Sequence, residues 1–203
     1  MSKKTPFPRL LTVAVVLAVI APGIVSGGEP DPPGRLSADF VMTRTLVVLS
    51  DTITSSGKLT LGGPGLLRWE MTSPSRSVLV VNKGTAWIHY PDMGVTKGFD
   101  LSKDPVMKVL SEHLLALTGG QFDRMEKFYD VSDLANGVKR LVPFESAVKS
   151  VFSEIRVKMG AAGVVSWVEM VSGSGDLTRI AFENVKLNPT PAPNLFEKPA
   201  NVS

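Results

Sequence analysis

The chain has 203 residues, no cysteine, two histidines and 22 Lys+Arg against 19 Asp+Glu, a formal charge of +3. That surplus sits in the first 27 residues, which carry Lys3, Lys4 and Arg9 and no acid, so the rest is balanced and offers no bulk basic surface for nucleic acid. Without cysteine, and with only His89 and His113, a thiolate nucleophile, a disulfide framework and a structural zinc site are all excluded or nearly so, and neither metal nor cofactor is expected.

Met1 to Pro8 is short and basic, Leu10 to Ile20 is apolar apart from Thr12, and Ala21 to Gly28 supplies a breaker and small residues. This is the three-part pattern of a secretory signal peptide, with cleavage expected near Gly27 or Gly28. The apolar run falls short of the ~20 residues a membrane-spanning helix needs. A lipoprotein signal would need a cysteine at the cleavage site. The expected product is a soluble, monomeric, single-domain chain over 28–203 in an extracytoplasmic space, most simply a periplasm.

Residues 28–34 are rich in Pro and Gly and read as an irregular lead-in. Short β-prone runs follow at 38–49, 57–62, 66–72, 77–82, 85–90 and 95–100, separated by Gly62-Gly-Pro-Gly65, Thr72-Ser-Pro-Ser75, Asn82-Lys-Gly84 and Pro91-Asp-Met-Gly94, which predicts an antiparallel meander. A helix is expected over 104–118, capped by Asp104, opened by Pro105 and stopped by Gly119-Gly120. Its apolar stripe is Val106, Leu110, Leu114 and Leu117, with Met107 and His113 at the edges. Gln121–Lys127 reads as a short helix or an irregular link. Strands resume at 128–132 and 137–142, and Phe144–Ser150 has helical character. The last third alternates most clearly, with strands at 151–159, 164–171 and 177–186 joined by glycine-rich turns, before a Pro-rich arm at 188–199 in which Leu195 and Phe196 are free to pack on the body.

No catalytic signature appears. Arg68 and Glu70 share a strand face opposite Leu67, Trp69 and Met71, and read as a solvent-facing ion pair rather than an acid/base pair. His89 and His113 have no partners at metal-ligand spacing. Ser37, Ser146 and Ser166 stand in no nucleophile elbow, and the Gly62–Gly65 run joins two strands instead of opening a helix onto a phosphate. The fold class expected is mainly β with a few helices (α+β). Periodicity leaves open whether the apolar faces fill an ordinary core or line a ligand cavity in an incomplete barrel.

Ordered segments carry a resemblance. Gly57-Lys-Leu-Thr-Leu, Pro64-Gly-Leu-Leu-Arg-Trp-Glu70, Pro74, Val78-Leu-Val-Val-Asn-Lys-Gly84 and Trp87-Ile-His-Tyr-Pro-Asp92 resemble the first half of the periplasmic outer-membrane lipoprotein carriers, the LolA-like family. Asp176-Leu-Thr-Arg-Ile-Ala-Phe-Glu-Asn-Val-Lys-Leu-Asn-Pro189 and Asn194-Leu-Phe-Glu-Lys-Pro199 resemble its closing strand and tail. The resemblance spans about Phe40 to Pro199. It implies an unclosed antiparallel β-barrel under a helical lid, and a carrier that ferries acylated lipoproteins from an inner-membrane transporter to an outer-membrane receptor, without catalysis. Under that implication the lipid-facing set is Leu59, Leu61, Leu67, Trp69, Met71, Val80, Ile88, Val106, Leu110, Leu114, Ile155, Val157, Trp167, Ile180 and Phe182. The chain also departs from the pattern. Gly63 stands before Pro64 where the transporting members have an arginine that contacts the lid. Leu67 replaces an aromatic residue, and the helix usually found before the first strand is weak in 29–36. These mark a divergent relative. Other readings stay open: a carrier of another lipid or glycolipid intermediate for a different export system, an envelope-stress sensor or regulatory module on the same fold, and, more remotely, a carboxylate hydrolase.

Overall fold

A computed structural model describes residues 34–48, 51–104, 125–126, 128–149, 152–160 and 164–199. Eleven strands form one antiparallel sheet: β1 (Leu36–Leu46), β2 (Asp51–Gly63), β3 (Leu66–Ser73), β4 (Ser77–Asn82), β5 (Thr85–Tyr90), β6 (Val95–Asp100), β7 (Tyr129–Leu134), β8 (Val138–Pro143), β9 (Phe152–Met159), β10 (Val165–Ser172) and β11 (Leu177–Leu187). A single helical turn, α1 (Ser146–Lys149), packs beside β8 and β9. The spatial order is β6-β5-β4-β3-β2-β1-β11-β10-β9-β8-β7. The chain therefore meanders outward from β1 to β6, restarts at the far edge with β7, and meanders back until β11 pairs with β1. With β6 and β7 as separate edges the sheet is an unclosed half-barrel.

The strands fall where turn residues had bounded them, with two adjustments. The expected strand at 38–49 begins earlier, at Leu36, and stops at Leu46, where Val47 and Val48 form a turn. The next strand starts at Asp51 rather than 57, because Thr52, Ile53 and Thr54 pair with Thr45, Arg44 and Thr43 and lengthen the hairpin. Those three are β-branched residues that suit a pleated ladder. The helix expected over 104–118 lies outside the described residues apart from Asp104, and with it Val106, Leu110 and Leu114. The signal segment at 1–27 lies outside them as well.

Each strand presents alternate side chains to opposite faces. One face, here called inner, carries a continuous apolar cluster that runs from Leu101, Ala86 and Ile88, across Leu79, Trp69, Leu59 and Phe40, to Ile180, Val168, Ile155, Leu141 and Tyr129. At its centre Phe40 stacks on Trp69 with ring centroids 4.2 Å apart and planes inclined by 29°, a contact worth about 0.5–1.5 kcal/mol beyond the area buried. Gly57 makes that approach possible. A Cβ on Gly57 would stand 1.8 Å from the Glu70 carbonyl oxygen and 2.6 Å from Cζ of Phe40.

The outer face is mostly polar, with one apolar exception. Val78 and Val80 form a second cluster with Phe196, flanked by Leu66, Trp87 and Leu195. The C-terminal arm thus folds back across β3–β5. Arg68 Nη1 donates to the Leu195 carbonyl at 3.2 Å, and Asn82 Nδ2 donates to that of Phe196 at 3.2 Å.

Candidate functional site

Of the residues expected to face a lipid, Leu59, Leu61, Leu67, Trp69, Ile88, Ile155, Val157 and Ile180 are buried in the inner cluster, and Met71 and Phe182 are partly buried against it. Two do not belong there. Val80 lies on the outer face under Phe196, while its neighbours Leu79 and Val81 point inward. All of Ser77–Val81 is buried, so β4 has no polar alternation from which its phase could be read. Trp167 also faces outward, with the Arg179 guanidinium 4.4 Å above its ring. A register shift between Val165 and Trp167 changes the phase of β10 at that point and puts Val168 and Met170 on the inner side instead.

The structure adds inner-face members that a short list from sequence omits. Ala38, Phe40 and Met42 continue the face across β1, and Met170 extends it on β10. Their signal was the same period-2 alternation. Phe152 enters through a register shift between Val171 and Ser172 that no sequence signal marks.

The two ends of the inner face differ chemically. At the end bounded by the β1–β2 hairpin, Arg44 and Thr178 occupy the inner-face positions next after Met42 and Ile180, and Ser55 pairs with Met42. Arg44 Nη2 meets Asp176 Oδ2 at 3.1 Å, and Asp176 Oδ1 accepts the Val47 backbone N–H at 3.1 Å. That backbone hydrogen bond, followed by the Arg44 contact, holds the Asp176 carboxyl below the ordinary range in spite of partial desolvation. The opposite end opens into a cleft of about 300 Å³ between Gly160, Val164, Val165 and Ser166 on one side and Phe182, Val185 and Leu187 on the other. Asn184, at φ 51°, sits where the β1–β11 register shifts. The extra residue carries Val185 and Leu187 round to the side of Phe182.

Polar atoms are scarce between these ends. Among the described residues, Trp69 Nε1 and Tyr90 Oη are buried on this face with no hydrogen-bond partner, although a buried polar group left unpaired costs about 1–3 kcal/mol. Burial raises the Tyr90 hydroxyl above its ordinary pKa and keeps it protonated. The other sequence candidates for chemistry resolve into structural roles. His89 is buried and shares a hydrogen bond of 2.8 Å between Nδ1 and Thr96 Oγ1. Arg68 and Glu70 form an ion pair of 2.8 Å on the outer face, and Arg68 also secures the C-terminal arm. Among the described residues no group of three or more His, Asp or Glu is placed to hold a metal ion.

A half-barrel with one continuous apolar face is the geometry that the sequence resemblance implies. A family model described as outer membrane lipoprotein carrier protein LolA matches residues 34–199, most of the chain. The chain belongs to this family. An outer-membrane lipoprotein carrier protein of Azotobacter vinelandii is 28% identical over 134 residues, which are 66% of this chain and 62% of that protein, so the match spans less than two thirds of the relative's length. The carrier protein of Chromobacterium violaceum is 25% identical over 205 residues, covering 95% of this chain and 93% of its own. Among solved structures, a LolA superfamily protein from Nitrosomonas europaea superposes with a TM-score of 0.45 at 10% identity, over 93% of this chain and 97% of that one.

The backbone at Gly63, the position where the sequence resemblance led one to expect an arginine, suits a glycine. Gly63 has φ of 115°, a conformation that residues with a side chain rarely adopt, and Gly65 follows at 73°. An arginine at position 63 would be strained in this backbone, so the turn between β2 and β3 seen here favours glycine.

Proposed function

We propose that this protein is a periplasmic carrier that shelters the acyl chains of lipoproteins against its inner face while they cross from the inner to the outer membrane. On this reading residues 1–27 are removed on export, the mature domain is soluble, and it meets an inner-membrane donor and an outer-membrane acceptor. Leu59, Leu61, Leu67, Trp69, Met71, Ile88, Ile155, Val157, Ile180 and Phe182 are the proposed acyl contacts. The observation that carries the reading is the continuous apolar inner face in a chain matched by the carrier family over 34–199.

The physical need is plain. An acyl chain exposed to water costs about 0.8 kcal/mol per methylene, so one of roughly 16 carbons costs on the order of 12 kcal/mol. A shuttle must offset most of that and still let go. An open half-barrel supplies apolar area without enclosing the cargo behind a closed ring of backbone hydrogen bonds. No catalytic step is required, and none is proposed.

The test is to purify the mature chain from its native envelope and identify what it carries by mass spectrometry of extracted lipids. Co-purified triacylated lipoprotein is the expected result. Free lipid or glycolipid in its place would move the protein to a different export route, and a chain that binds no acylated molecule would overturn the carrier assignment.

A further inference from the structure

Between its polar end at Arg44 and its open end, the inner face holds two hydrogen-bonding atoms that the described residues leave unused. Trp69 is 4% exposed, locked by its stack on Phe40, and its Nε1 has no acceptor among the described residues. Tyr90, two strands away on β5, has its Oη in the same condition. Leu59, Leu79, Ile88 and Met71, which flank them on the inner face, contain no oxygen or nitrogen; Ser77, paired with Met71 at the edge of this group, carries a hydroxyl. An indole N–H is donor only, and a protonated phenol donates as well as accepts. A bare hydrocarbon tail satisfies neither atom. The carbonyl that joins an acyl chain to its glycerol or amine satisfies both, because it is an acceptor attached directly to the apolar chain.

We infer that Trp69 Nε1 and Tyr90 Oη form a carbonyl subsite, donating to the ester or amide oxygens that link acyl chains to their cargo. The inference rests on the reading of the inner face as an acyl shelter and adds to it a choice of ligand. The site grips the linkage as well as the chain, so it favours acyl esters and amides over hydrocarbons of equal apolar area. Placement of the carbonyls on β3 and β5 also sets how far each chain extends along the face.

Two probes separate the subsite from the shelter: a tripalmitoylated cysteinyl peptide carrying ¹³C in its ester carbonyls, and diphenylhexatriene, an apolar fluorophore with no acceptor. The unmodified protein is expected to bind both, with the labelled carbonyl stretch moved to lower wavenumber on binding. Trp69→Phe keeps the ring stack and deletes the N–H, and Tyr90→Phe deletes the hydroxyl. Each is expected to weaken the acylated peptide by about three- to tenfold, the loss of one buried hydrogen bond, and Tyr90→Phe is expected to leave diphenylhexatriene affinity unchanged within about twofold. An unshifted carbonyl stretch, together with variants that bind the peptide as tightly as the parent, would overturn the subsite and leave the shelter standing. An unmodified protein that binds neither probe overturns the shelter itself. Should Trp69→Phe lose both probes through misfolding, Tyr90→Phe and the carbonyl stretch in the unmodified protein decide the matter.

Discussion

The two faces of the sheet are built from the same strands, residue by residue, yet they are held by different physics. The inner face is one continuous apolar surface in which each side chain is fixed by the volume of its neighbours. The outer face is a set of local pairs: Arg140 and Arg156 on Glu154 at 2.7 and 2.6 Å, Arg179 on Glu169 at 2.6 Å, and Arg68 on Glu70 at 2.8 Å. Glu154 shows the balance on that side. Burial raises its carboxyl, and the hydrogen bonds from Arg140 and Arg156 more than reverse this and hold it below the ordinary range. A change on the inner face therefore propagates, whereas one on the outer face stays local.

The contrast orders a set of expected effects. Phe40→Ala, at the centre of the inner face, should cost about 4 kcal/mol, measured by urea unfolding. A loss below about 1 kcal/mol would mean that the inner face is not a packed unit. Gly57→Ala should cost about 3 kcal/mol, because the new methyl meets the Glu70 carbonyl before it meets anything able to rotate away; its unfolding midpoint should fall nearly as far as that of Phe40→Ala. Tyr129 tests the inner face through pH. Burial pushes its hydroxyl from 10.0 up to about 12, so the fold favours the neutral phenol. Its contribution is whole below pH 10 and is lost as pH rises through 12, up to about 3 kcal/mol in all. Alkaline unfolding followed between pH 9 and 12 should be steeper in the parent than in Tyr129→Phe.

The outer-face changes should be smaller. Phe196→Ala should cost about 2 kcal/mol and release the C-terminal arm, so that limited proteolysis clips the arm well before the sheet is attacked. An arm that stays protected would place its anchor elsewhere, on Arg68 and Asn82. Glu169→Ala, which removes a part-exposed ion pair, should change stability by less than about 1 kcal/mol. A larger loss would show that the outer pairs act as a network and would erase the distinction between the faces.

Much of this architecture was legible in the sequence, because glycine, proline and asparagine punctuate strands whose pairing is almost entirely between neighbours in the chain. What sequence conveyed poorly was phase. Leu59, Trp69, Ile155 and Ile180 were assigned to the right face because polar residues alternate with them. Val80 was not, since the C-terminal arm buries the second face of β4 and removes the alternation. Trp167 was misplaced by a register shift, and Val185 and Leu187 were overlooked through another at Asn184. Bulges of this kind depend on the partner strand, more than a hundred residues away for β1 and β11. The family assignment was readable from ordered segments, but why Gly63 suits its turn was not, because it lies in a backbone angle.

The separate edges of the sheet have a mechanical consequence. In a closed barrel the circumference is set by strand count and shear, and it changes only if a hydrogen-bonded ladder is broken or slipped. Here, among the described residues, β6 and β7 are not joined to each other. Their rims can part or approach while all ten ladders between neighbouring strands stay intact. Girth is then a matter of sheet twist rather than of ring closure, and the acyl shelter proposed above would adjust to its cargo without loss of a ladder between the described strands.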